Sequence, residues 1–135
     1  MMSEEQNIQI AQGIFDAFGR GDVPGLLSFI AEDVSWTIPG PDNVPYYGER
    51  RGHHGVMDFL VKIGSSVELY RFEPREFIAK DERVIVLGGE GGRVKPTRKH
   101  FDIEWAIVFT INDGKLSRFY CYEDTAAVSA AFQPD

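Results

Sequence analysis

The segment from Phe101 to Ile111 constrains the fold of this chain most strongly. Apolar residues occupy every second position in it: Phe101, Ile103, Trp105, Ile107, Phe109 and Ile111. Because successive side chains of a strand point to opposite faces, this alternation predicts a β-strand with one face in an apolar interior. The Asn-Asp-Gly sequence at 112–114 follows directly and predicts a tight turn. The chain is therefore expected to return over 115–123 as the second arm of a β-hairpin.

The length of that turn decides which residues of the second arm face the interior. A three-residue turn with Gly114 in the left-handed conformation and a G1 bulge suits the Asn-Asp-Gly sequence, and it is the register we predict. Its pairs are Ile111 with Lys115, Phe109 with Ser117, Ile107 with Phe119, Trp105 with Cys121, and Ile103 with Glu123. In this register Glu123 lies on the apolar face. A two-residue Asp113-Gly114 turn of type I′ instead turns Arg118, Tyr120 and Tyr122 inward and Glu123 outward.

Composition limits the classes of protein to consider. With 135 residues, 43% of them hydrophobic, the chain is expected to form one domain over 1–135 around a single core. A net charge of -7 disfavours nucleic acid and anionic membranes as partners, because both would repel an acidic surface. The single cysteine, Cys121, excludes an internal disulfide and favours a reducing compartment. No segment resembles a signal peptide or a membrane span, so we predict a cytoplasmic location.

Helical patterns come first along the chain and strand patterns follow. Apolar residues at helical spacing predict a helix that begins at a Ser3–Gln6 capping box and ends at 19–21, a short helix capped by Asp22, and a third helix around 56–63. Alternation predicts strands at 33–38, 67–80 and 84–87 besides the hairpin, with a loop at 40–52 and a glycine-rich bend at 88–92. Thr125 is predicted to cap a final short helix. This order indicates an α+β fold with three helices of the N-terminal half on one face of a curved antiparallel sheet.

The order of elements, with Phe-Thr-Ile-Asn-Asp-Gly-Lys-Leu-Ser-Arg-Phe at 109–119 and Tyr-Glu-Asp-Thr at 122–125, resembles the SnoaL-like branch of the nuclear transport factor 2 superfamily. The resemblance covers nearly the whole chain. It implies a cone formed by a curved antiparallel or mixed sheet, with the helices on its concave face. The superfamily includes isomerases, polyketide cyclases, dehydratases, epoxide hydrolases and non-enzymatic adaptors, so the resemblance is informative about fold and much less about reaction.

Two mechanisms known in the superfamily are disfavoured residue by residue. The positions that resemble the catalytic tyrosine and two acids of ketosteroid isomerases are Ile14, Ile38 and Ile107. Isoleucine can neither transfer a proton nor stabilise an oxyanion. Of the limonene epoxide hydrolase site only an arginine, Arg83, is retained, because the positions of its two aspartates are Ile85 and Cys121.

Glu123 is the predicted acid or base, because a carboxylate on an apolar face is desolvated and its pKa rises. By the resemblance, Arg83 points inward and pairs with Glu123 or binds an anionic ligand; a purely structural ion pair, or a solvated Glu123 at the rim, is the alternative. The predicted ligand-binding residues are Trp36, Tyr46, Tyr47, Trp105, Phe119 and Cys121.

These residues predict a cofactor-independent acid–base enzyme of isomerase, cyclase, lyase or hydrolase type that acts on a hydrophobic small molecule. The alternative is a non-catalytic ligand-binding or protein-interaction module. No metal site is predicted, because His100, Asp102 and Glu104 lie on the strand face opposite the apolar one. No nucleotide or flavin fingerprint is present. The outer sheet face, with Ala106, Val108, Tyr120 and Tyr122, is expected to form a homodimer, as is common in the superfamily.

Overall fold

Four helices and one six-stranded sheet form the fold in a computed structural model that describes residues 2–135. The helices are α1 (Glu4–Arg20), α2 (Val23–Ser28), α3 (Gly52–Ser66) and α4 (Thr125–Phe132). The strands are β1 (Ile30–Ile38), β2 (Gly48–Arg51), β3 (Val67–Lys80), β4 (Arg83–Val94), β5 (His100–Asn112) and β6 (Lys115–Glu123).

The strand order β2-β1-β6-β5-β4-β3 produces a curved, unclosed sheet. All neighbouring strands are antiparallel except β1 and β6, which are parallel, so the sheet is mixed. The predicted α+β class is confirmed. Strand β2 was not predicted, since it lies inside the segment 40–52 that its prolines and glycines mark as a loop.

The first helix begins and ends where the sequence predicts. The hydroxyl of Ser3 accepts a hydrogen bond from the backbone N–H of Gln6, and the Gln6 side chain accepts one from the backbone of Ser3. This is the predicted capping box. Gly21 ends α1 with a φ of 66° in the left-handed region. In α4 the cap is Asp124, which accepts a hydrogen bond from the N–H of Ala127; Thr125 is the first helical residue.

The hairpin between β5 and β6 combines features of both predicted registers. Asp113 (φ 50°) and Gly114 (φ 80°) form a two-residue turn, and Asn112 pairs with Lys115. A bulge at Ser117 then adds one residue to β6, so that Phe109 pairs with Phe119 and Trp105 with Glu123. The predicted partner of Ile111 was therefore wrong by one residue, and the predicted partners beyond the bulge were wrong by two. Because side chains alternate with a period of two, the predicted orientation of Phe119, Cys121 and Glu123 still holds.

Strand β4 continues through the glycine-rich segment 88–92, where a bend was predicted. Its inner face carries Val84, Val86 and Val94, all fully buried. A Cβ at Gly88 would lie 2.6 Å from the indole ring of Trp105 and 2.4 Å from the carbonyl oxygen of Glu73. Glycine is therefore required here by close packing against β5 and β3. The strand alternation also places Glu90 on the inner face.

The helices pack on the concave side of the sheet and form one apolar core with it. Phe15 of α1 is central to this contact, with ring centroids 5.4–5.9 Å from those of Phe72, Phe77, Trp105 and Phe109. Contacts of this kind add to the free energy gained by apolar burial. Within residues 2–135, none of the helices has the length and apolar character needed to cross a membrane.

Candidate active site

A cavity lies between the concave face of the sheet and the helices. Its volume is about 50 Å³, and one water molecule needs roughly 10–15 Å³. Its wall is mainly aliphatic and aromatic, with the polar groups of Trp36, Tyr46, Glu90, Cys121 and Glu123. Among residues 2–135, no lysine or arginine lines it. The cavity is therefore apolar, narrow and provided with two carboxyl groups.

Glu123, near the end of β6, is held by two donors. The hydroxyl of Tyr47 donates a hydrogen bond to its Oε2 at 2.5 Å, and the thiol of Cys121 donates one to its Oε1 at 3.4 Å. Burial raises the pKa of Glu123, while the hydrogen bonds from Tyr47 and Cys121 oppose that rise by favouring the ionised form. The pKa of the Cys121 thiol is itself raised well above its ordinary value, mainly by burial, so Cys121 remains a donor.

Glu90, on the inner face of β4, is the second carboxyl of the cavity and was not among the predicted site residues. It is 7% exposed. Burial, and next the charge of Glu123, raise its pKa to about 8, against the weaker opposing influence of Trp105 and Arg71. Sequence reasoning missed it because the glycines around it were interpreted as a bend. Continuing the alternation of Val84 and Val86 through Gly88 would have found it.

The sheet register sets the spacing of the two carboxyls. Glu123 lies opposite Trp105, which lies opposite Gly88, two residues before Glu90. Two strand spacings and two residues along a strand correspond to about 12 Å between the two Cα atoms on a flat sheet. Curvature and side chains that reach inward shorten the gap between the carboxyl groups. Both groups line the same cavity, where a small ligand could contact both.

Hydrogen bonds from Arg50 fix the loop that carries Tyr46 and Tyr47. The guanidinium of Arg50 donates to the carbonyl oxygens of Tyr46 (2.9 Å), Tyr47 (3.3 Å) and Pro45 (3.1 Å), and its Nε donates to Asp58 (3.1 Å). Burial and the charge of Glu123 raise the pKa of both tyrosines, so their hydroxyls remain protonated donors. The loop thus holds Tyr47 in place against Glu123.

Aromatic rings form one wall of the cavity. Trp36 of β1 stacks on Phe119 of β6, with centroids 3.8 Å apart and planes 5° from parallel. Its ring also packs against Phe59 of α3, at a centroid distance of 5.3 Å. The pairing of Trp36 with Phe119 in the parallel ladder between β1 and β6 brings the two rings together. The positions that resemble the ketosteroid isomerase residues also line the cavity: Ile14, Ile38 and Ile107.

The predicted site residues fall into three groups. Trp36, Tyr46, Phe119, Cys121 and Glu123 line the cavity. Tyr47 and Trp105 are buried beside it, Tyr47 through its hydrogen bond to Glu123 and Trp105 through its stacking on Phe15.

Arg83 alone forms the third group, because it does not lie at the cavity. Its predicted inward orientation was wrong. It is exposed at the start of β4, whereas the next residue, Val84, is fully buried. Because neighbouring residues of a strand face opposite sides, Arg83 lies on the outer face and cannot pair with Glu123.

A second cavity adjoins the first between the α1–α2 turn, α3 and the start of β3. Its volume is about 300 Å³, and it reaches the surface at the exposed residues Gly21 and Gly64. Both cavities are lined by Phe18, Leu26, Ile63 and Leu69. These four apolar side chains therefore separate the cavity with the carboxyls from one that opens to solvent.

Residues 11–119 match the sequence profile of the SnoaL-like domain, and the chain therefore belongs to the SnoaL-like family. No curated protein shows significant similarity to it.

Solved structures agree with this assignment. A nuclear transport factor 2-like protein from Burkholderia xenovorans is 41% identical with a TM-score of 0.91, and the match covers 98% of this chain and 100% of that one. A nuclear transport factor 2-like protein of unknown function from Burkholderia pseudomallei is 30% identical with a TM-score of 0.87, covering 98% and 99%. TerC, co-crystallised with polyporic acid, is 27% identical with a TM-score of 0.84, covering 94% and 98%.

Proposed function

We propose that the protein is a cofactor-independent acid–base enzyme that acts on a small apolar molecule, with Glu123 as the proton acceptor and Glu90 as the proton donor. One observation carries this proposal: two carboxyls in different environments, Glu90 buried and Glu123 half-buried, share one apolar cavity. Pairs of carboxyls whose surroundings differ in this way can divide the roles of acid and base between them.

The division of roles follows from the hydrogen bonds. Glu123 accepts from Tyr47 and Cys121, both of which favour its ionised form. For Glu90, burial and the charge of Glu123 favour the protonated form, and its pKa of about 8 keeps most of it protonated at neutral pH. A general acid or base is most effective when its pKa lies near the working pH.

This arrangement suits a reaction in which one proton leaves the substrate and another is added. In an isomerisation, Glu123 takes a proton from one atom and Glu90 gives a proton to another. In a dehydration, the proton from Glu90 leaves with a hydroxyl group as water while Glu123 removes the proton from the neighbouring carbon. Both reactions conserve atoms without a metal or a redox cofactor.

The comparison with TerC supports a small organic ligand. TerC was co-crystallised with polyporic acid and matches nearly all of this chain at 27% identity. The interior here is lined by aromatic rings suited to a flat molecule, in particular Trp36 and Phe119. The rival proposal, a non-catalytic binding module, is favoured by the aliphatic Ile14, Ile38 and Ile107 at the positions that resemble the isomerase site.

Binding and conversion measured together separate these two proposals. The purified protein is incubated in D₂O with a panel of small organic compounds, both neutral apolar ones and polyporic acid, and each bound compound is followed by NMR. Incorporation of deuterium at carbon, isomerisation or loss of water supports the enzyme. Compounds that bind but emerge unchanged over days, with no deuterium gained at carbon, would favour the binding module.

We further propose that the outer sheet face mediates self-association. It exposes Tyr70, Ile78, Ile85, Leu87 and Tyr122, each between 37% and 56% accessible, and exposed apolar surface of this kind commonly marks an interface. Light scattering after size exclusion is expected to give twice the chain mass of 15.2 kDa. Leu87→Glu should shift the protein towards the monomer. A wild-type monomer at 100 µM or above would contradict the proposal.

A further inference from the structure

Two donors of the cavity wall have no partner. The hydroxyl of Tyr46 and the indole Nε1 of Trp36 are both buried, and neither has a hydrogen-bond partner within residues 2–135. The two residues are 2% and 4% exposed, and both line the cavity. A buried donor without an acceptor costs roughly 1–3 kcal/mol. The two groups can therefore donate to a ligand, whereas the Tyr47 hydroxyl already donates to Glu123.

The chemistry of these groups restricts the ligand atom that can satisfy them. An indole N–H can only donate, so its partner must be an acceptor. Burial, and next the charge of Glu123, hold the pKa of Tyr46 well above its ordinary value, and Tyr46 therefore remains a protonated donor. Both rings also pack against Phe59, at centroid distances of 5.3 Å for Trp36 and 6.2 Å for Tyr46. They thus border the same part of the cavity.

The charge of the cavity restricts the ligand again. Two carboxyl groups line it, and along the described part of the chain no cationic side chain does. An anionic acceptor, such as a carboxylate or a phosphate, would be buried without a counter-charge, at high cost. A neutral acceptor oxygen avoids this cost.

We infer that the cavity selects neutral apolar ligands that carry an acceptor oxygen of carbonyl or ether type, and that Tyr46 and Trp36 are the positioning residues that bind this oxygen. The inference deepens the proposed function by naming its ligand class, and it rests on the same cavity being the ligand site. With the oxygen so held, the rest of the molecule lies along the aromatic wall within reach of Glu90 and Glu123.

A matched pair of probes tests the inference: indan-1-one and indane, which differ by one carbonyl oxygen. We expect the wild type to bind indan-1-one about tenfold more tightly by titration calorimetry, the ratio produced by one to two net hydrogen bonds. Tyr46→Phe removes only the hydroxyl and should reduce this ratio to threefold or less, mostly by weakening indan-1-one. Ser65→Ala, which deletes an exposed hydroxyl near the end of α3, is the control and should leave the ratio unchanged.

Trp36→Phe provides a second test in which the aromatic wall is retained but the indole N–H is lost, and circular dichroism verifies that each variant is folded. Equal affinity of the wild type for the two probes, binding of neither, or an unchanged ratio in both Tyr46→Phe and Trp36→Phe would overturn the inference. Since the probes need not react, such results would leave the acid–base proposal standing. Conversely, full activity of a Glu123→Gln variant would overturn the acid–base proposal without affecting the measured ratio.

Discussion

Replacing Glu90 by glutamine is expected to remove a loss of stability that the wild type undergoes as the pH rises from about 4.5 to about 8. Folded Glu90 has its pKa raised from 4.5 to about 8. Over this range the folded protein keeps a proton that the unfolded chain has released. The free energy of unfolding therefore falls with rising pH, and this contribution is fully retained only below the unfolded pKa. Glutamine is neutral at every pH and has no such dependence.

The expected size of this effect is large for a single side chain. A difference of one in pKa corresponds to about 1.4 kcal/mol, so a rise from 4.5 to about 8 corresponds to roughly 5 kcal/mol. Urea unfolding of the wild type and of Glu90→Gln between pH 4.5 and 9 measures it. The difference in the free energy of unfolding, wild type minus variant, should fall by several kcal/mol across this range.

Glu76→Gln is the matched control for that experiment, because Glu76 is exposed on β3. The same subtraction for Glu76→Gln should lack this large fall, because no buried carboxyl is removed. Parallel curves for the wild type and Glu90→Gln would show that Glu90 titrates alike in the folded and unfolded chains, and the proposed proton donor would be lost with that result.

Replacing Glu123 by glutamine is expected to lower kcat/KM by roughly 10²- to 10⁴-fold for any substrate that the wild type converts, the contribution typical of a positioned acid or base. Glutamine preserves the shape of the side chain and can still accept the hydrogen bond of Tyr47, so the fold and ligand binding should be retained. The measurement is steady-state kinetics with ligand affinity determined in parallel. Unchanged kcat/KM in a folded Glu123→Gln protein would remove the proposed base.

Tyr47→Phe distinguishes this role from a purely structural one. It deletes a hydrogen bond that lowers the pKa of Glu123, so the acidic limb of the pH profile of kcat/KM should move to higher pH. Ser65→Ala, at an exposed position of α3, should not move it. The alkaline limb, assigned to Glu90 with its pKa of about 8, should keep its position unless the charge of Glu123 changes.

Local rules in the sequence predicted both ends of α1 and the inner face of the hairpin. The capping box at Ser3 and Gln6 and the left-handed Gly21 each depend on neighbouring residues alone, and both are found. The orientation of Glu123 was predicted from a turn that the structure does not contain. It holds because the bulge at Ser117, whose hydroxyl donates to the carbonyl oxygen of Thr110 at 3.1 Å, restores the same face.

The placement of the site residues depends on packing between distant segments, which the sequence does not display. Glu90 was hidden among glycines, and those glycines are explained by contacts with distant residues such as Trp105. Arg83 was oriented by resemblance, whereas its buried neighbour Val84 fixes the opposite orientation. Arg50 donates hydrogen bonds to the carbonyl oxygens of Tyr46 and Tyr47, and no periodicity in the sequence predicts this contact. Strand alternation carried through glycine-rich segments is thus the sequence signal that would have improved the prediction.

The pKa of Glu90 in the folded protein is the most direct test that the cavity holds an acid and a base in different protonation states. Side-chain carboxyl carbons of ¹³C-labelled glutamates are followed by NMR from pH 4 to 10, with Glu90→Gln and Glu123→Gln spectra used for assignment. We predict that Glu90 titrates with a pKa of about 8, and that burial raises the pKa of Glu123 above its ordinary value. Titration of both groups near the ordinary glutamate value of about 4.3 would contradict the account.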